Sequence, residues 1–106
     1  MDLPAVTALF PDLPEFELTR WIERRWVLPE QGATGVVFQE IDIARVRLIH
    51  DLSRDLAVAE DTMPLVLSLL DQLYEMRRAM ISMLRALEQQ PDQVREAVVT
   101  AVRPKA

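Results

Sequence analysis

Between Pro64 and Pro91 the chain carries no glycine or proline, and Val66, Leu69, Leu73, Met76, Met80, Met83 and Leu87 recur at spacings of 3, 4, 3, 4, 3 and 4. That alternation keeps one apolar ridge in line along an α-helix, because seven residues make nearly two turns. It predicts a helix from Pro64 to about residue 90, with these seven side chains as an a/d dimerisation seam. Leu70, Tyr74, Ile81 and Leu84 widen the ridge on one flank. Asp61 or Thr62 can cap the helix, and Pro64 falls near its first position, where a missing N–H costs nothing. Such a helix is roughly 40 Å long at about 1.5 Å per residue. The rest of the chain is too small to cover it, so the pattern predicts a homodimer. An intramolecular four-helix core is the competing arrangement.

Shorter patterns come before it. Pro4 to Phe10 reads as a short helix with Pro4 in its first turn and Pro11 ending it. Residues 15–27 read as a second helix with Phe16, Leu18, Ile22 and Trp26 near a 3.6 period, stopped by Pro29. Leu18, Trp21 and Ile22 should face inward, which leaves Arg20 and Arg24 together one turn apart. The only glycines, Gly32 and Gly35, mark a tight turn. Residues 31–35 read as a hairpin tip or loop and residues 36–38 as a short extended piece. Asp42 is placed to N-cap a third helix running to about residue 55, with Ile43, Val46, Ile49 and Leu56 along one side. After Pro91, residues 92–102 can form a short helix that ends in a mobile RPKA tail. The expected organisation is residues 1–57, a long interaction helix over 58–90, and a short helix with its tail over 91–106.

Composition narrows the function classes. Half of the 106 residues are hydrophobic, enough for a real core. Charges interrupt every apolar run, so no membrane span is expected, and the start MDLPAVTALF lacks the basic region of a secretion signal. The expected location is the cytoplasm. With no cysteine, disulfides and thiolate metal sites are excluded. A net charge of −5 disfavours a nucleic-acid clamp, since phosphate contacts need a basic face. The charge is uneven, however. Residues 20–25 hold Arg20, Arg24 and Arg25 against Glu23, whereas residues 55–75 hold acids and no base. The acidic stretch suits docking of a basic partner.

Catalytic chemistry is hard to assemble from these residues, and no cofactor or metal is expected. The single histidine, His50, reads as a half-buried imidazole bonded to a neighbour, with a pH sensor or general base as the functional alternative. Asp51 with Asp55 and Glu60 with Asp61 lack the glycine turn and dense oxygen spacing of a calcium loop. Ser53, Ser68 and Ser82 have no base placed to activate them. The helix carrying Arg20, Arg24 and Arg25 beside Trp21 and Trp26 is the one credible DNA-binding element. The structural alternative makes both tryptophans core or interface anchors and pairs the arginines with Glu15, Glu17, Glu23 or Glu30.

The order of parts resembles the MerR-type winged helix-turn-helix. Trp21-Ile22-Glu23-Arg24-Arg25-Trp26-Val27-Leu28-Pro29 is similar to a recognition helix and its exit. Phe38-Gln39-Glu40-Ile41-Asp42-Ile43-Ala44-Arg45-Val46-Arg47-Leu48-Ile49 looks like the segment that leads from the wing to the next helix. One departure is that Gly35 is followed by Val36-Val37, where the wider pattern has an arginine in the wing. The whole chain resembles more closely the CbpM-type chaperone modulators, a MerR-like subgroup. The shared features are residues 42–51, Asp55-Leu56-Ala57-Val58 and the run from Pro64 to Leu73. The resemblance implies an all-α fold: a MerR-like winged helix-turn-helix with a small wing, followed by a long dimerisation helix. It also implies an inhibitory adaptor that binds the J-domain of a DnaJ/CbpA-like co-chaperone. Because J-domains present a basic helix, Asp51, Asp55, Glu60 and Asp61 are the expected contacts. A MerR-like DNA-binding regulator is the alternative.

Overall fold

The computed structural model describes residues 1–104. Its elements run α1 (Leu3–Ala8), α2 (Glu15–Glu23), β1 (Glu30–Gly32), β2 (Gly35–Val37), α3 (Glu40–Arg54), α4 (Met63–Glu88) and α5 (Asp92–Val102). The fold is mainly helical with one small antiparallel hairpin. It divides into two compact units, Met1–Leu67 and Ser68–Ala106. The first extends past the expected boundary at residue 57 because Met63 and Leu67 are buried within it.

In the first unit, the Asp2 carboxylate accepts the Ala5 N–H at 3.0 Å and so caps α1. Helix α2 is shorter than its hydrophobic period predicts. Arg25 adopts a left-handed φ of 64°. The Trp26 N–H turns back to the Trp21 carbonyl at 3.0 Å, and the Arg25 N–H to that of Ile22 at 3.0 Å. This pair of bonds is a Schellman motif, with an arginine at the position glycine usually takes. The helix therefore stops well before Pro29. Trp26 is still buried, but it reaches the core from beyond the turn rather than from the helix face. Arg45 Nε donates to the Trp26 carbonyl at 2.9 Å, which ties α3 to this exit.

The hairpin pairs Glu30 with Val37, Gln31 with Val36 and Gly32 with Gly35, leaving Ala33 and Thr34 as its two-residue loop. Thus residues 30–32, expected mostly as loop, form a strand. Both glycines are required here. Gly35 has φ +133°, and a Cβ on Gly32 would lie 2.7 Å from Val37 Cγ2. Beyond β2, the Phe38 N–H donates to the Met1 carbonyl at 2.7 Å, and the Met1 ammonium donates to the Phe38 carbonyl at 3.0 Å. Helix α3 begins at Glu40, ahead of the expected Asp42 cap. Asp42 serves instead at the third helical position, where its carboxylate accepts the Gln39 N–H at 2.8 Å. Leu52 replaces Leu56 on the inward face. Leu56 lies past the end of α3 and is 68% exposed.

The core gathers Val6, Phe10, Leu13, Leu18, Trp21, Trp26, Val27, Phe38, Val46, Ile49, Leu52, Met63 and Leu67. Phe16, placed on the apolar period of α2, is exposed, with the Arg20 guanidinium 5.9 Å from its ring centre. In the second unit, α5 occupies the expected residues. Of the RPKA tail expected to be mobile, Lys105 and Ala106 lie outside the described residues. No described helix is long and apolar enough to cross a membrane.

The left-handed Arg25 generates a prediction. A β-carbon in that conformation costs about 1–2 kcal/mol, whereas glycine adds roughly 0.5–1 kcal/mol of chain entropy. Arg25→Gly should therefore stabilise the first unit by about 0.5–1 kcal/mol, read by urea unfolding followed through fluorescence. Both tryptophans, Trp21 and Trp26, belong to that unit, so the signal reports on it. An unchanged or lower midpoint would show that the arginine side chain contributes more than its backbone strain costs.

Candidate partner-binding surfaces

Helix α2 places Arg20 and Arg24 one turn apart, and both point to the same acid. Arg20 Nη1 lies 3.1 Å from Glu60 Oε1, and Arg24 Nη1 lies 3.4 Å from that same oxygen. Glu60 sits in the turn before α4, where the Ala59 carbonyl accepts the Thr62 and Met63 N–H groups, each at 3.0 Å. Aromatic rings back both guanidiniums: Arg20 over Phe16, and Arg24 5.4 Å from the Trp26 ring centre. Both tryptophans are core side chains, but the arginines' partner is none of the four nearby glutamates. It comes from 40 residues downstream of Arg20. No local pattern could have announced it, because helical spacing reports only neighbours three or four residues away. Arg25 is exposed and has no ion pair among the described residues. A cavity of about 150 Å³ lies beside this cluster, lined in part by Trp21, Trp26, Val58 and Met63.

A second polar cluster joins the α1–α2 turn to α3. His50 Nε2 lies 2.7 Å from Asp12 Oδ1, and its Nδ1 lies 3.4 Å from Asp51 Oδ1. The imidazole is half-buried, with the Phe10 ring 5.4 Å away between centres. Arg54 grips Glu17 through two parallel bonds, 2.7 and 2.9 Å long, and also donates to the Asp12 carbonyl at 2.8 Å. A forked pair of this kind fixes orientation as well as charge. His50 therefore braces the fold through carboxylate neighbours, and the turn carrying Asp12 is held from two sides.

The four acids expected to face a partner have different surroundings. Asp51 is exposed but lies against the His50 ring. Glu60 is engaged by Arg20 and Arg24. Asp55, which caps the end of α3, and Asp61, whose carboxylate accepts the Thr62 hydroxyl at 3.4 Å, are exposed.

Most of the seam residues are exposed apolar side chains. Val66, in the first unit, is half-buried. In the second unit Leu69, Leu73, Met76, Met80 and Met83 are 56 to 72% exposed, and Leu87 is half-buried. Val94, Val98, Val99 and Val102 of α5 are exposed too. No described residue from Ser68 onward is buried. Among the described residues no group of three metal-ligating side chains comes together. No protein-family model matches this chain, and neither does a curated protein or a solved structure.

The Asp12 carboxyl supplies a pH prediction. Its hydrogen bond with His50, reinforced by its own backbone N–H and by the charges of His50 and Arg54, outweighs desolvation and holds it below its ordinary value of 3.8. A lowered carboxylate contributes stability that is complete above its unfolded value and is lost as pH falls through the folded one. The stability advantage of the native chain over Asp12→Asn should thus be full above 3.8 and shrink below it, as read by thermal unfolding across acid pH. An advantage that stays constant down through this range would mean that the contact does not depend on the carboxylate's charge.

Proposed function

We propose that this chain is a dimeric adaptor of the CbpM type, which binds the J-domain of a DnaJ/CbpA-like co-chaperone and inhibits it. Its scaffold is a MerR-like winged helix-turn-helix: α1, turn and α2 as the helix-turn-helix, β1 and β2 as the wing, and α4 as the dimerisation helix. The observation that carries the reading is that no described residue beyond Leu67 is buried, in a unit rich in leucine, methionine and valine. Exposed apolar ridges of this extent belong to interaction surfaces. A second copy covers the seam from Leu69 to Leu87. Asp55 and Asp61, exposed in a stretch without bases, face the basic helix of the J-domain, with Asp51 beside them in sequence. Glu60 can join them only by leaving Arg20 and Arg24.

A MerR-like DNA-binding regulator is the second reading, favoured by the exposed Arg25 at the end of α2. It is weakened by the net charge of −5 and by the engagement of Arg20 and Arg24 with Glu60. The two readings separate by salt. A DNA regulator binds duplex with a steep negative slope of log affinity against log salt, whereas docking on a J-domain depends on salt only modestly.

Two measurements test the adaptor. Titration with an isolated J-domain should show saturable binding that Asp55→Lys combined with Asp61→Lys weakens about tenfold or more. Absence of binding by the native chain would sink the assignment, and undiminished binding by the variant would sink the placement of the surface. Sedimentation should show a native dimer that Leu73→Asp converts to monomer, because burying a charge at the seam costs several kcal/mol in order of magnitude. A native chain that sediments as a monomer of normal stability would remove the dimer.

A further inference from the structure

Two guanidinium groups converge on one oxygen in the first unit. Glu60 Oε1 receives Arg20 Nη1 at 3.1 Å and Arg24 Nη1 at 3.4 Å. Two guanidiniums directed at a single oxygen are the arrangement by which proteins hold an oxyanion. Here they are braced from behind, Arg20 by Phe16 and Arg24 by Trp26, so neither needs the carboxylate to order it. All three charged side chains are a little over 40% exposed, so an exchange of the carboxylate for another anion needs no opening of the core. Exposed ion pairs are weak, and such an exchange is accordingly easy. The carboxylate lies in a short turn anchored at both ends. The Val58 N–H bonds the Leu52 carbonyl at 2.9 Å, and the Met63 side chain is buried on the other side. Arg25, exposed next to Arg24, adds a third cation to the same run of chain.

We propose that Arg20 and Arg24 form a site for a backbone phosphate of nucleic acid, and that Glu60 acts as its internal gate by occupying the phosphate's place. Wild type then binds duplex weakly because its own carboxylate competes at high local concentration, and removal of that carboxylate opens the site. The inference is independent of the J-domain assignment: it concerns α2 and the turn before α4, and its test uses no co-chaperone.

The experiment measures binding of a labelled 20-base-pair duplex of arbitrary sequence by anisotropy, over a range of salt, with the full chain. Glu60→Gln should bind more tightly than wild type, with a log–log salt slope steeper by about 0.9, the increment for one additional phosphate neutralised. Glu60→Gln combined with Arg20→Gln and Arg24→Gln should return to the wild-type slope or below. Glu30→Gln, which removes an equal charge elsewhere on the unit, should leave the slope unchanged. Tryptophan fluorescence checks that each variant keeps its core. Equal binding by Glu60→Gln and wild type would overturn the gate, as would an equal increase from Glu30→Gln, which would reduce the effect to net charge. Preferential binding of poly-glutamate over duplex by Glu60→Gln would overturn the phosphate assignment in favour of an acidic peptide.

Discussion

A helical segment in which no described side chain is buried draws little stability from the hydrophobic effect, and that constraint governs the second unit of this molecule. Fixing the backbone costs about 1–2 kcal/mol per residue, and only removal of apolar surface from water offsets so large a term. The first unit meets the condition with two tryptophans, two phenylalanines and a set of branched aliphatics under cover. The second does not meet it by itself, because its leucines, methionines and valines stay in contact with water. In proteins most helical stability comes from packing of an apolar face rather than from intrinsic propensity. No described residue from 68 onward is buried, so removal of apolar surface from water contributes little to the stability of this unit taken by itself.

Several charges of the first unit are engaged by groups distant in sequence. Glu17 is taken by Arg54, Asp12 and Asp51 flank His50, and Glu60 is shared by two arginines. These contacts connect segments distant in sequence, and they orient α2, the turn before it and the turn after α3 against one another. The pairs on Glu60 are worth little in free energy because they face solvent, whereas the forked Arg54–Glu17 pair is part-buried. Their effect is on charge: they neutralise acids and bases that would otherwise form separate patches. Of the four acids expected to face a partner, Asp55 and Asp61 alone are left without a charged or imidazole neighbour in the contacts described above. Any group that drew the Glu60 carboxylate away would leave both α2 arginines without that partner.

Much of this was legible in the sequence, and the parts that were not share a cause. The long helix and α5 follow from periodicity, and α3 nearly so, since its apolar positions and an acid near its start are local signals. The end of α2 was not legible, because an arginine in a left-handed turn carries no sign of itself; a glycine there would have announced the stop. Strand β1 was missed because Glu30-Gln31-Gly32 has no strand propensity and is ordered by pairing with β2. Leu56 fitted the helical period but lies past the helix end, and Leu52 took its place in the core. Glu60 was visible as an acid, but its partnership with Arg20 and Arg24 depends on tertiary packing across most of the first unit. Local chemistry predicts local structure; contacts closed by the fold have to be seen.

The chemistry of the ridge also bears on what can cover it. With Val66, Leu73, Met80 and Leu87 at one set of seam positions and Leu69, Met76 and Met83 at the other, the flanking positions are Leu70, Arg77 and Leu84 on one side and Gln72, Ala79 and Ala86 on the other. Opposite charges at such flanks normally set the pairing and direction of coiled helices. Here they are nearly absent, so electrostatics cannot be what selects the partner. Small alanines on one edge allow close approach, leucines on the other extend the apolar area, and three methionines adapt to whatever they meet. The seven-residue repeat in turn demands a partner whose own side chains recur at the same interval, which a helix provides and a strand or loop does not. Shape and period, rather than charge, are what this face offers an occupant, and the second copy proposed above has both.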